Sequence, residues 1–174
     1  MQNEKFQLGD ATSITAVSEG EPGNRYFYLL IEAVGGEARL RLEKEQLFQL
    51  ALAVQRLLSS VSPEQSSEKF DLEKIEGGPK LDLEFVIEKL ILGQKNRGNS
   101  FFLNASELVA NDAELRNTME NSTVEVELSR AQLELFSHQA LEVCAAGRPL
   151  CPLCGAPMGR EQHLCPRTNG HVKL

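Results

Sequence analysis

An ungapped internal repeat is the feature that most limits how this chain can fold. Residues 37–58 align with residues 123–144 at a constant shift. Each segment begins with apolar residues that alternate with charged ones, the pattern of a strand with one buried face. These apolar residues are Ala38, Leu40 and Leu42 in the first segment and Val124, Val126 and Leu128 in the second. In each segment, the apolar residues that come next are spaced as on one face of a helix. The sequence therefore predicts two copies of a strand that leads directly into a helix.

Each predicted helix has one apolar face, which indicates packing against a sheet. The face comprises Leu47, Leu50, Val54, Leu57 and Leu58 in the first copy and Leu133, Phe136, Ala140, Val143 and Cys144 in the second. Gln46 aligns with Gln132. Because Cys144 takes the place of Leu58, we interpret it as a small buried residue and not as a reactive thiol or a ligand. His138 lies beside the apolar face, and we assign it no role.

Further extended segments precede each strand and helix pair. They are residues 11–18 and 25–34 in the first copy and residues 81–92 and 99–108 in the second. Gly35 and Gly36 predict a hairpin turn, whereas the polar residues 110–121 predict a longer loop or a short helical turn. We therefore expect an α+β fold of duplicated β-β-β-α units, with copies at about 1–60 and 80–147, joined by a Ser/Pro-rich linker. This body, 1–147, precedes a distinct tail, 148–174.

The tail contains three of the four cysteines and two of the three histidines, which indicates a metal site. Cys151 and Cys154 are separated by two residues, so both thiolates can bind one ion from a single turn. A second ligand pair follows a short loop later. His163 and Cys165 point the same way if this segment is extended. The fourth ligand could be either His163 or His171, and we prefer His163 because His171 lies after a flexible turn near the terminus. The predicted site is a Cys3His zinc site in a small ribbon.

A dithiol redox pair is the nearest alternative for Cys151 and Cys154. In thioredoxin-like proteins such a motif begins a helix, where the helix dipole lowers the pKa of the first thiol. Here the motif follows the predicted end of a helix, and Gly155 and Pro157 after it oppose a new one. A redox pair would also leave Cys165 without a role. We therefore favour zinc.

Charge is unevenly distributed along the chain. The chain has 18 basic and 25 acidic residues. Four basic and one acidic residue lie in the tail, which gives the tail a net charge of +3. The body keeps 14 basic and 24 acidic residues, a net charge of −10. An acidic body argues against general nucleic-acid binding. The N-terminal residues resemble no secretory signal, and no apolar run approaches the length of a membrane span. We expect a cytoplasmic protein with reduced thiols and no membrane partner.

Three segments resemble the bacterial DUF3090 family of uncharacterised proteins over essentially the whole chain. They are residues 42–46 (LEKEQ), residues 146–158 (AGRPLCPLCGAPM) and residues 163–170 (HLCPRTNG). The family pattern, a CPxCG followed by H-x-C-P-R-x-N-G, implies ligands at Cys151, Cys154, His163 and Cys165. His171 falls where the family often has tyrosine. The family has no established activity, so the resemblance implies no function.

Two classes of function are compatible with these features. The first is a non-enzymatic interaction or adaptor module with a structural zinc site and an unidentified protein partner, since four protein ligands leave no position for a substrate. The alternative is an enzyme, a zinc-dependent or body-sited hydrolase, which would need an open coordination position or a cleft of titratable groups. No common catalytic or phosphate-binding motif occurs in the sequence, so we favour the first class.

Overall fold

The computed structural model describes residues 4–21, 23–61, 80–95, 100–109 and 122–146. These residues form six strands and two helices. In chain order they are β1 (Glu4–Glu21), β2 (Asn24–Ala33), β3 (Gly36–Leu42), α1 (Lys44–Ser60), β4 (Leu81–Lys95), β5 (Ser100–Glu107), β6 (Ser122–Ser129) and α2 (Arg130–Ala145). The predicted α+β class is confirmed. The predicted loop at 110–121 and the tail at 148–174 lie outside the described residues.

The six strands form one closed sheet in which neighbours in sequence are neighbours in space. β2 pairs antiparallel with β1 and β3, and β5 does so with β4 and β6. Parallel pairing of β3 with β4 and of β6 with β1 closes the ring. The predicted hairpin between β2 and β3 is confirmed, with Val34 and Gly35 between the two strands.

Strands β1 and β4 each change partner part-way along their length. β1 pairs with β6 up to Asp10 and with β2 from Ala11, and β4 pairs with β3 up to Val86 and with β5 from Ile87. An irregularity in register, of the kind that a β-bulge produces, follows each change of partner. Because a bulge bends a strand, it lets one strand serve both sides of the closed sheet.

Glycine is required where the β2–β3 hairpin meets β4. Gly36 has a φ of 144°, and a Cβ atom at this position would overlap the backbone carbonyl of Leu81 on the neighbouring parallel strand. The turn is also held by backbone hydrogen bonds from Gly35 to the Leu8 carbonyl (2.9 Å) and from Leu81 to the Gly35 carbonyl (2.9 Å). A side chain here would therefore force two strands apart.

Both helices begin with a capping box in which the third helical residue is glutamine. The Oε1 atom of Gln46 accepts from the Glu43 N–H (2.8 Å), and that of Gln132 accepts from the Ser129 N–H (2.8 Å). These bonds satisfy backbone donors that a helix start leaves unpaired. No helix in the described part of the chain is long and apolar enough to cross a membrane.

An arginine side chain donates hydrogen bonds to backbone carbonyls at the C-terminal end of each helix. Arg130, the first residue of α2, donates to the carbonyls of Leu58 (2.9 Å) and Val61 (3.0 Å) at the end of α1. Arg25 on β2 donates to the carbonyl of Ala146 at the end of α2. The positive charge also suits the negative end of the helix dipole. Each helix is thus tied at its C-terminal end to another element.

The core contains the inward residues of the sheet and one face of each helix. The predicted apolar face is largely confirmed: Leu47, Leu50, Val54 and Leu58 of α1 are buried, as are Leu133, Phe136, Ala140 and Cys144 of α2. Leu57 and Val143, at equivalent positions, are half-buried. The inward residues of β3 and β6 named in the sequence pattern are all buried. Apolar burial at about 25 cal/mol per Å² is the main stabilising contribution to such a core.

Candidate functional site

The predicted zinc ligands Cys151, Cys154, His163 and Cys165 lie outside the described residues, as does the alternative ligand His171. The prediction that they bind one ion therefore stays a prediction. Among the residues that the structure describes, no group of three or more histidine, cysteine, aspartate or glutamate side chains is placed to hold a metal ion.

A groove of about 590 Å³ lies between the first turn of α1 and the last turn of α2. Phe48, Leu141 and Cys144 supply its apolar surface, and Glu43, Lys44, Glu45 and Ala145 complete the lining. Phe48 is 37% exposed although it is aromatic. We refer to this feature as the helix-end groove. It combines an apolar floor with a charged rim and lies at the C-terminal end of α2.

The side chain of Cys144 is part of the core, as predicted. The residue is 5% exposed and has no disulfide partner. Its Sγ lies 3.8 Å from the Lys44 carbonyl oxygen, to which the thiol donates. Burial raises the pKa of this thiol, while the charge of Lys44 opposes that rise. A thiol that stays protonated is a poor nucleophile and a poor metal ligand, so the structure agrees with a packing role.

A second depression of about 440 Å³ lies between α2 and the middle of β1. It is lined by Leu135, His138 and Gln139 from the helix and by residues 12–15 of the strand, among others. Leu135 is 73% exposed, and His138 is also exposed. The Gln139 amide oxygen accepts from the backbone N–H of Ala16 (3.4 Å). The depression presents one large apolar side chain and one imidazole to solvent.

Charged residues on β1, β4 and β6 form ion pairs on the outside of the sheet. Lys5 pairs with Glu125 at 2.8 Å, and Lys95 pairs with Glu127. The hydrogen bond from Lys5 lowers the pKa of Glu125, and the hydrogen bond to Glu127 raises the pKa of Lys95. Partial burial raises the pKa of Asp10, and the charge of Glu127 adds to that rise. Because these pairs are largely exposed, each contributes little to stability.

The outer surface of β2 and β3 carries two arginine–tyrosine pairs that the sequence analysis did not identify. The Arg39 guanidinium lies 4.2 Å from the ring centre of Tyr28, and that of Arg41 lies 4.2 Å from the ring centre of Tyr26. Arg39 also pairs with Glu19 at 2.8 Å. Such cation–π contacts are weak at exposed sites. The alternation of these residues was visible in the sequence, but their pairing depends on the register between strands.

Comparison with known proteins identifies the family. The profile described as "Protein of unknown function (DUF3090)" matches residues 5–165, nearly the whole chain. This chain belongs to the DUF3090 family. The matched span of this DUF3090 protein includes the body and all four predicted zinc ligands, ends at Cys165, and leaves His171 outside. Neither the curated proteins nor the solved structures contain a significant match.

Proposed function

We propose that this DUF3090 protein is a non-enzymatic interaction module whose tail holds one structural zinc ion. The proposed ligands are Cys151, Cys154, His163 and Cys165. Three thiolates and one imidazole are a donor set that zinc favours, and they fill its tetrahedral coordination. A filled shell stabilises the fold of the tail and leaves no position at which a substrate could be activated.

The observation that carries this proposal is the extent of the family match. The match continues past the last described residue, Ala146, through all four proposed ligands and ends at the fourth. This extent supports a unit in which body and tail belong together. It also supports the choice of His163 over His171, which lies beyond the match. Because the tail follows an anchored helix end, it begins at a fixed place on the body.

Reduced cysteines are required for thiolate ligation, so we place the protein in the cytoplasm. The acidic body suits a protein partner with a basic surface and opposes nucleic acid. Cell fractionation tests the location. Recovery of the protein mainly outside the cytoplasmic fraction would contradict it.

Metal analysis tests the zinc site. Protein purified without chelator should contain close to one zinc per chain, and Cys151→Ser or Cys154→Ser should abolish binding. Cys144→Ser is the matched control, because this fourth cysteine is buried in the body and should leave the zinc content unchanged. Absence of zinc from the wild-type protein, or its loss in the control alone, would refute the assignment.

Amide hydrogen exchange with and without chelator tests whether the zinc is structural for the tail alone. The closed sheet and both helices are completed by bonds among described residues, so we expect them to keep their protection when zinc is removed. Residues after Arg148 should lose theirs. Loss of protection across α1 and α2 would show that the metal organises the core. Zinc-dependent turnover of an ester or phosphoester would instead favour the alternative, a zinc-dependent hydrolase.

Co-purification from the native cell under mild conditions tests the interaction role. The bait is the full chain, and the Cys154→Ser variant serves as the comparison. A protein that is retained by the wild type and lost with the zinc site supports the proposed module. If no protein is enriched over a tagged, unrelated control, the interaction role fails.

We also propose that the body is a duplication of one β-β-β-α unit. Equivalent bonds in the two halves support this. The backbone N–H of Val34 donates to Asp10 (3.1 Å), and that of Leu108 donates to Val86 (2.7 Å) at the corresponding place after β5. The side-chain amide of each capping glutamine, Gln46 and Gln132, reaches a carbonyl at the bulge of the parallel neighbouring strand. Such agreement at the ends of two strands and at two helix starts is expected of two copies of one unit.

Circular permutation tests the duplication. If the body consists of two equivalent units, the chain joins the first to the second between α1 and β4. The equivalent connection, from α2 back to β1, does not exist in the natural chain order. A chain that begins at Lys80 and joins the end of α2 to Glu4 by a linker as long as residues 62–79 should therefore fold with the same far-ultraviolet circular dichroism. A permutant opened between β1 and β2, inside a unit, is the control. Equal loss of structure in both permutants would count against the two-unit organisation.

A further inference from the structure

The helix-end groove is an apolar surface without a described occupant. Phe48 and Leu141 border it from the two helices, and Cys144 lies at its base. Partly exposed aromatic and aliphatic side chains that face each other across a groove favour burial by another apolar group. Within the described ranges no residue outside these helix ends lines the groove.

The C-terminal end of α2 lies at this groove. Ala145, the last residue of α2, is part of its lining, and Ala146 is held by Arg25 and by a backbone hydrogen bond to the Glu142 carbonyl (2.8 Å). The 28 residues from 147 to the end of the chain follow. An extended chain advances about 3.3–3.6 Å per residue, so the first few residues after Ala146 can reach all parts of the groove.

Charge and composition match the tail to the groove. Glu43 and Glu45 lie on the rim with one lysine, Lys44, whereas the tail carries a net charge of +3. Leu150 and Leu153 flank and separate the first two proposed ligands, and they are among the few large apolar residues that the tail contains. Their attachment to the body gives them a high effective concentration at the groove, which a separate partner would lack.

We propose that the first part of the tail, residues 148–158, folds back into the helix-end groove and buries Leu150 and Leu153 against Phe48 and Leu141. This inference rests on the proposed function, because it gives the zinc-binding tail a fixed seat on the body. The seat fixes the orientation of the zinc site relative to the sheet. A partner would then contact tail and body as one surface.

Photo-cross-linking of the full, zinc-loaded chain tests whether residues 148–158 lie in the helix-end groove. The photoreactive residue p-benzoylphenylalanine replaces Phe48 in one variant and Leu135 in the control. Both positions are exposed on the helix pair, but Leu135 lies at the other depression. We expect links within one chain from position 48 to residues 148–158, identified by mass spectrometry, and several-fold fewer from position 135. Links from position 48 to a second copy, or no preference over the control, would overturn the proposal.

Two tail variants separate burial of Leu150 from proximity alone. Leu150→Ser should reduce the link from position 48 several-fold, whereas Leu164→Ser, farther along the tail, should leave it unchanged. Equal yields in the two variants would overturn the proposal. Zinc content, measured on the same samples, distinguishes the two failures: full zinc without links refutes the seat alone, and links without zinc refute the zinc site alone.

Discussion

Gln132 at the start of α2 allows a quantitative test of what holds the helices to the closed sheet. Its Oε1 atom accepts from the backbone N–H of Ser129 (2.8 Å), and its Nε2 atom donates to the carbonyl of Ala11 (2.7 Å) at the bulge of β1. Ala11 is only 8% exposed, so water has little access to that carbonyl once the amide is removed. One half-buried side chain thus supplies hydrogen bonds to a backbone N–H at the helix start and to a backbone carbonyl at the bulge of β1.

Gln132→Ala removes these two bonds to backbone groups, and also the bond that Oε1 accepts from the Ser129 hydroxyl (2.9 Å), for which water can substitute because Ser129 is only half-buried. Each of the two backbone bonds is worth about 1 kcal/mol net, and an unpaired buried carbonyl adds about 1 kcal/mol or more, so we expect a loss of about 2–3 kcal/mol in the free energy of unfolding. Gln46→Ala is the matched control. Gln46 makes the same capping bond, but its amide lies 3.4 Å from the carbonyl of Glu88, which is exposed. The control should lose only about 1 kcal/mol.

Urea unfolding of the zinc-loaded protein, followed by far-ultraviolet circular dichroism, measures the loss in free energy of unfolding for each variant. The slope of this free energy against urea concentration should stay unchanged. Gln132→Glu isolates the bond to Ala11, because a carboxylate still accepts from Ser129 but does not donate at neutral pH. It should be less stable than the wild type despite its favourable charge at a helix start. If Gln132→Ala costs no more than Gln46→Ala, or if Gln132→Glu matches the wild type, the bulge bond does not contribute.

Four further outcomes are expected. His163→Ala should weaken zinc binding strongly in chelator competition and His171→Ala only slightly, and the reverse order would refute the ligand choice. Gly36→Ala should lower the urea midpoint markedly, because of its φ of 144° and the neighbouring carbonyl; an unchanged midpoint would contradict that geometry. Cys144→Ala should cost about 1–2 kcal/mol in the same assay without loss of zinc, and equal stability would argue against tight packing. For Asp10, the folded state raises the pKa above 3.8, so its charge is unfavourable above that pH; Asp10→Asn should be slightly more stable at pH 7, and the difference should vanish in acid.

The strands and helices could be predicted because their signals are local. Alternation in β3 and β6 and the apolar helix faces each depend on residues a few positions apart. β1 and β4 proved longer than predicted. The start of β1 was missed although Phe6 and the fully buried Leu8 alternate with polar residues there, whereas the end of β4 at Lys95 carries no such pattern. Closure by parallel pairing could not be predicted, since it joins residues far apart, such as Gly36 and Leu81, without a local signal.

The candidate site divides in the same way. The spacing of the proposed zinc ligands is a local pattern in the sequence, and their binding of one ion stays a prediction. The helix-end groove depends on how Phe48 of α1 meets Leu141 and Cys144 of α2, and that contact exists only once the helices have packed. Cys144 itself was assigned correctly, because its place in the repeat gave it the environment of Leu58.

The two helices also differ at aligned positions beside their buried faces. Gln139 of α2 binds the backbone of β1 at Ala16, but the aligned residue in α1 is Ala53, which has no amide to do the same for β4. His138 likewise aligns with Leu52. The aligned buried residues Leu50 and Phe136 differ in size but both pack in the core, whereas Gln139 adds a contact that α1 lacks. The side chains around α2, the helix from which the tail continues, therefore differ from those around α1.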